Sequence, residues 1–246
     1  MEKLKASNIT VSFDGVNIIE DVSIHLEEGE IVSLLGVSGS GKTTLFNVLS
    51  GLNIPDSGRV LLDGEDITGK SGKMSYMLQK DLLLSHYTVL DNVSLPLIVK
   101  GEKKKIAREK AAEHFEFFGL DGTEKKYPHQ LSGGMRQRAA FLRTYLASEG
   151  VALLDEPFSA LDTITKTAVH QWYLDIMKEI KFSSLIVTHD IDEAILLSDR
   201  IYILSGKPGK ISDEIIVTLP KPRNNSLVMS EEFMAIKRKL VEKIAF

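Results

Sequence analysis

The chain has 246 residues, 30 basic and 34 acidic side chains, a net charge of −4 and no cysteine. That length suits one α/β domain with an ordinary core, or one domain carrying a subdomain. The charge balance argues against a dedicated nucleic-acid binder, and the missing cysteines exclude disulfides, thiolate metal sites and a cysteine nucleophile.

Residues 1 to 30 read as antiparallel strands. LKASNITVSF alternates, FDGVN supplies a turn, and DVSIHL alternates again. IVSLLG is a short apolar run that suits a strand buried on both faces, and a helix is expected from Lys42 to Ser50. Gly58 to Leu62 and Lys73 to Leu78 are β-like. The middle, about 80 to 145, looks like an inserted helical subdomain. There Ala107, Ala111, Phe115 and Phe118 share a helical face that Gly119 can close, and Ser132 to Leu146 can form another helix.

VALLD follows as a buried strand. A helix is expected over Asp162 to Ile180, with Val169, Trp172, Ile176 and Ile180 on one face. SSLIVTH is a further buried strand, Ile191 to Leu197 a short helix, and RIYIL and KISDEIIV closing strands. After a loop marked by Pro220, Pro222 and Asn224, Ser230 is placed to cap a last amphipathic helix carrying Phe233, Ile236, Leu240 and Ile244. Strands alternating with helices imply an α/β fold with a mainly parallel sheet. The expected organisation is one domain over 1–220, then a loop and helix over 221–246. No apolar leader and no run long enough to span a bilayer is visible, so a soluble, cytoplasmic chain is expected.

GVSGSGKT, comprising Gly36, Val37, Ser38, Gly39, Ser40, Gly41, Lys42 and Thr43, matches G-x-x-x-x-G-K-[ST] between a buried strand and a helix. A polyphosphate needs backbone N–H groups wrapped closely around it, which glycine permits, and a helix N-terminus adds positive dipole. Lys42 brings a mobile cation and the Thr43 hydroxyl can ligate Mg²⁺; Thr44 continues the run of backbone donors. VALLDEP places Asp155 and Glu156 just past a strand end, where ligands gather in open α/β sheets. Asp155 suits Mg²⁺, which prefers oxygen ligands, and Glu156 suits activation of a water. LSGGM, comprising Leu131, Ser132, Gly133, Gly134 and Met135, precedes a helix and offers a second anion site. Two phosphate sites in one chain make sense if two copies pack head to tail.

With those motifs in this order, the sequence resembles the ATP-binding subunits of ABC transporters, from about residue 3 to at least 216. LSGGM corresponds to the family signature. Met135 replaces the usual glutamine, a change familiar in the nitrate, sulfonate and taurine importer branch, which the tail DIDEAILLSDRIYILSGKPGKI also resembles. Related members serve pyrimidine precursors of thiamine. The resemblance implies a P-loop NTPase fold with an N-terminal antiparallel subdomain. It also implies ATP and Mg²⁺ as cofactors, a homodimer, and membrane permease subunits as partners at the cytoplasmic face of the membrane. An extracytoplasmic binding protein would act indirectly. Ser159, Ala160, Leu161 and Asp162 resemble the loop that crosses the dimer interface. Gln79 resembles the glutamine that contacts Mg²⁺ and water, and His189 the histidine that contacts the γ-phosphate. Phe13 stands where an aromatic ring stacks on adenine, and Ile18 can pack beside the base. The resemblance places the apolar stretch KDLLLSHYTVLDNVSLPL near a permease-docking groove, although its residues can equally fill the helical subdomain's own core. Cargo is expected to be a small organic anion or a pyrimidine-like compound. The alternative is a soluble ABC-type ATPase acting on nucleic acid or ribosomes.

Overall fold

A computed structural model describes residues 2–180 and 182–244; the expected boundaries at residues 1 and 246 lie outside the described residues. The first two strands, β1 (Glu2–Phe13) and β2 (Val16–Glu27), form an antiparallel hairpin. Asp14 and Gly15 at its tip both have positive φ, 51° and 77°. A two-residue turn of this hand matches the twist of the flanking strands, and Asp-Gly is the dipeptide that best tolerates it. After β3 (Ile31–Leu35) and α1 (Lys42–Leu49) come β4 (Ser57–Leu62) and β5 (Glu65–Asp66). Together they complete a four-stranded sheet in the order β2-β1-β4-β5.

The central sheet is built from β3, β6 (Ser75–Met77), β7 (Val151–Asp155), β8 (Ser183–Thr188), β9 (Arg200–Ser205) and β10 (Lys210–Ile216). Its order is β10-β9-β3-β8-β7-β6, parallel except for the β9–β10 hairpin. Between β6 and β7 lie α2 (Val89–Val99), α3 (Lys104–Ala112) and α4 (Gly133–Ala147). Helices α5 (Thr163–Glu179), α6 (Ile191–Leu197) and α7 (Glu231–Ile244) follow.

Alternation along the buried strands divides the interior in two. Val32 and Leu34 of β3, Val151 and Leu153 of β7, and Leu185 and Val187 of β8 face a core shared with the antiparallel sheet and with Leu45, Phe46, Val48 and Leu49 of α1. Their neighbours Ile31, Leu35, Ala152, Leu154 and Ile186 face a second core, filled by Phe115, Phe118, Phe141, Tyr173 and Phe182. A strand covered on both faces has no solvated side for polar residues, hence the continuous apolar runs. Each buried Leu, Val, Ile or Phe contributes roughly 1.5–3 kcal/mol of transfer free energy.

One expectation changes. Helix α3 ends at Ala112, and Glu113 to Gly119 continue as tight turns in which His114 N–H bonds Ala111 O at 3.2 Å and Phe115 N–H bonds Ala112 O at 3.1 Å. These i→i+3 bonds overwind the chain. Phe115 and Phe118 nevertheless reach the core, and Gly119, with φ of 67°, ends the segment as expected. The helical middle opens, after Gln79, with α2. Its cap is Thr88, whose hydroxyl accepts the Asp91 N–H at 3.1 Å. Ser230 caps α7 by accepting the Phe233 N–H at 3.2 Å.

Candidate functional site

The carboxyl ends of four neighbouring parallel strands deliver the chemistry. β3 runs into the phosphate loop, β6 into Gln79, β7 into Asp155 and Glu156, and β8 into His189. Around them lies a cavity of about 670 Å³ lined by Ile18, Ser38, Gly39, Gly41, Lys42, Thr43, Thr44, Gln79, Asp155, Glu156 and His189. Every lining residue is one that the sequence reading selected.

The other residues of the loop shape it from outside the cavity. Gly36 is packed so closely that an added methyl would overlap the Leu204 carbonyl and crowd the Ser40 hydroxyl. Ser40 is buried, whereas Val37 is half exposed. Gly41 holds φ at 96°, and a methyl there would meet the Ile19 side chain. The Lys42 ammonium donates to Gly36 O at 2.8 Å and Val37 O at 3.0 Å. Burial lowers its pKa, and the nearby Glu156 and Asp155 carboxylates oppose that shift.

Asp155 shows the reverse. Burial raises its pKa and Glu156 pushes the same way, while the hydrogen bond from Tyr76 and the charge of Lys42 pull back. The Tyr76 hydroxyl donates to Asp155 Oδ2 at 3.2 Å. Sequence reading missed Tyr76; it stands at i−3 from Gln79 on β6, one strand over from Asp155, and only the β6–β7 pairing reveals the contact.

Glu156 has both carboxylate oxygens engaged. His189 Nδ1 lies 3.1 Å from Oε1, and Gln79 Nε2 donates to Oε2 at 3.1 Å. Gln79 Nε2 also donates to the Ser159 hydroxyl at 3.3 Å. The backbone of Glu156 adopts φ of 44°, rare for a residue with a side chain. Its N–H bonds Val187 O at 2.9 Å, and its carbonyl accepts the Ser159 N–H at 3.2 Å and hydroxyl at 2.9 Å.

A second cavity of about 700 Å³ adjoins the first and shares Gln79, Glu156 and His189 with it; Gly133, Arg136, Ser159, Ala160 and Leu161 complete much of its wall. Ser132 caps α4 by accepting the Met135 N–H at 3.3 Å. Gly134 is crowded by Val169 and Thr165, at 3.1 and 3.2 Å from where a methyl carbon would lie. Leu131 is buried, and Asp162 caps α5 through the Ile164 and Thr165 N–H groups, both at 3.1 Å. Phe13 ends β1 half exposed and lines neither cavity.

Comparison with known proteins supports the family resemblance. The profile described as ABC transporter matches residues 19–159. The chain belongs to the ABC transporter ATP-binding family. The cassette is 51% identical over 191 residues to the formylaminopyrimidine import ATP-binding protein ThiZ of Halalkalibacterium halodurans, covering 78% of this chain and 74% of that protein. It is 40% identical over 246 residues to the aliphatic sulfonates import ATP-binding protein SsuB of Bacillus cereus, covering 96% of each. The dimeric post-hydrolysis structure of the ATP-binding cassette MJ0796 bound to ADP and Pi superposes with a TM-score of 0.74 at 30% identity, covering 88% of this chain and all of that one. The cassette is therefore an ATPase that uses ATP and Mg²⁺, with the fold and importer-branch resemblance expected from its sequence.

The site fits those groups. Thr43, Asp155 and Gln79 all offer oxygen donors, the set that suits Mg²⁺. At Gly39 and Gly41 the wall has no side chain to fill the space that a phosphate chain needs.

Proposed function

We propose that this cassette is the motor of a membrane importer, working as a head-to-tail homodimer on permease subunits at the cytoplasmic face of the membrane. The observation that carries the catalytic part is the meeting of Lys42, Gln79, Asp155, Glu156 and His189 around one cavity. The signature residue Gly133 stands on the far side of Glu156. In this reading Lys42, Thr43 and the backbone N–H groups from Gly39 to Thr44 bind the phosphates. Ser132 and Gly134 of a second copy close the site and exclude water. Phe13 is proposed to stack on the adenine, with Ile18 beside it.

Glu156 accepts a proton from the attacking water at a carboxylate oxygen as that water's oxygen bonds to the γ-phosphorus. The bond from the γ-phosphorus to the bridging oxygen breaks, giving ADP and phosphate. His189 and Gln79 hold the Glu156 carboxylate in line while this happens. Thr43, Asp155 and Gln79 would hold Mg²⁺, which would neutralise charge on the phosphate oxygens. Such reactions depend on positioning and electrostatics more than on covalent chemistry.

Import is supported by the resemblance to the import ATP-binding proteins ThiZ and SsuB. Permease docking is supported by the exposed apolar side chains of Leu78, Leu82 and Tyr87 beside Gln79. Others in that stretch, such as Val89 and Val93, are buried and serve the helical core. The higher identity to ThiZ favours a pyrimidine-like cargo, delivered by an extracytoplasmic binding protein.

Replacing the carboxylate tests the mechanism. Glu156→Gln should cut turnover by ~10²–10⁴-fold with ATP binding intact, and full turnover would reject the assignment. Lys42→Ala should weaken nucleotide binding itself, measured by calorimetric titration with ATP.

A further inference from the structure

A cluster of charge behind the site joins two of its loops. Lys166, in the second turn of α5, places its ammonium 2.6 Å from Asp190 Oδ2 and 3.2 Å from Glu193 Oε2. Glu193 is 3% exposed and also meets His170 Nε2 at 3.2 Å. Asp190 follows His189 directly and caps α6, its Oδ1 accepting the Asp192 N–H at 3.0 Å and the Glu193 N–H at 3.2 Å. Its own N–H donates to the Thr188 hydroxyl at 3.0 Å. The peptide after His189 is thus held from both sides, and Lys166 is the link that reaches it from another element.

At its other end Lys166 is tied to the Ser159–Asp162 loop. Its N–H bonds Asp162 O at 2.8 Å, and Asp162 is the cap of α5. That loop begins at Ser159, which bonds the Glu156 carbonyl and receives Gln79. The path closes on itself, from Glu156 through Ser159, Asp162, Lys166 and Asp190 to His189 and back to Glu156. A partly buried ion cluster is weak evidence for stability, because apolar residues of similar volume often serve as well. What it does supply is a fixed geometry between the elements it joins. His189 needs such support, since its side chain is 62% exposed and little packing holds it.

We propose that Lys166 is a positioning residue that couples the Ser159–Asp162 loop to His189, so that a movement of that loop resets the imidazole facing Glu156. The proposal rests on the reading of Glu156 and His189 as the catalytic pair. One turn of helix carries the displacement from Asp162 to Lys166, and a short charge-assisted bond carries it to Asp190. The charges persist across the working pH range. Burial pulls the Lys166 pKa down, but the Asp190 and Glu193 carboxylates more than offset it and the net shift is upward. Burial pushes Asp190 up, and Lys166 with the backbone donors brings it below the ordinary carboxylate range.

Steady-state ATPase measurements and ATP titration on the purified cassette test this. Lys166→Met should lower kcat by about 10- to 100-fold, the cost of a small misplacement in a positioned site, with ATP affinity unchanged. Lys166→Arg, which keeps the charge and reach, should restore most of the turnover. Asp190→Asn keeps a competent cap and removes the ion pair; it should match Lys166→Met, and the double variant should be no worse than either. Wild-type kcat in Lys166→Met, no rescue by arginine, or a parallel fall in ATP affinity would each overturn the coupling. Glu156→Gln, assayed alongside, separates the two readings. If it still turns over, the catalytic assignment fails; if it is inactive while Lys166→Met is fully active, only the coupling fails.

Discussion

Asp155 and Glu156 are adjacent carboxylates in a partly buried cleft, and their surroundings treat them differently. Glu156 is turned out of the strand by its left-handed backbone, a conformation that costs roughly 1–2 kcal/mol for a residue with a side chain. Hydrogen bonds to Val187 and Ser159 hold it there, so the strain serves to aim the carboxylate at Gln79 and His189. Asp155 continues the strand and is buried enough to raise its pKa despite Tyr76 and Lys42. An acid whose pKa is raised on folding binds more protons folded than unfolded between those two pKa values. Stability then falls as pH rises through that interval, and the cost is fully present above the folded value. Asp155→Asn removes the buried charge. In the absence of Mg²⁺ it should melt at a higher temperature than the wild type at neutral pH, while losing ATPase activity. The gain should shrink as pH falls through the raised folded value and be gone below about pH 4, the ordinary aspartate range, where the carboxyl is neutral in both the folded and the unfolded chain. Equal melting temperatures at neutral pH would show that Asp155 is effectively solvated.

Elements show how contacts remote in sequence shape the site. The tip of the β9–β10 hairpin clasps β2 behind the phosphate loop. Gly209 N–H donates to Ile18 O at 2.8 Å, Glu20 N–H donates to Gly209 O at 3.0 Å, and a methyl on Gly209 would overlap the Ser40 carbonyl. Gly209→Ala should therefore displace the loop and weaken ATP binding about tenfold, or ~1.4 kcal/mol. Lys210→Ala next to it removes only a half-exposed ion pair with Glu20 and should change little. Calorimetric titration of both variants with ATP decides whether the hairpin sets the loop; equal affinities would show that it does not. PGKI was visible in the sequence as a branch feature, yet its role was not, because it depends on a backbone approach between residues 169 positions apart. The strands and the phosphate loop were legible because one periodicity or one spacing specifies each. Helix α2 was harder. β-branched residues and Pro96 weaken its local signal, and its entry is held by Asn92, a buried side chain bonded to Leu84, Tyr87 and Thr88. Tyr76 and Lys166 escaped for the same reason as Gly209: each acts across strand pairing or helix packing that no local pattern encodes.

The whole molecule presents two candidate anion sites that border different, adjoining cavities. The loop at the start of α1 opens into one cavity, and the signature stretch at the start of α4 borders the other, with Glu156, Gln79 and His189 between them. In the head-to-tail pair proposed above, the signature of each copy would lie over the loop of the other, because a symmetric interface uses the same patch on both partners. Mixing variants tests this arrangement directly. Lys42→Ala disables the loop; Ser132→Arg disables the signature, at a cost of about 1 kcal/mol from the lost α4 cap. Each variant alone should be nearly inactive, because every site in a pure dimer carries a defect. In an equimolar mixture half of the dimers pair one variant with the other. One site of each mixed dimer then combines both defects, and its second site is intact. With independent sites the mixture should regain about a quarter of wild-type turnover, measured as phosphate release at saturating Mg-ATP. Cooperation between sites would lower that figure without removing the recovery. If the chain instead completed its site from its own signature stretch, no mixture could outperform its components, and the absence of any recovery would reject the head-to-tail pair.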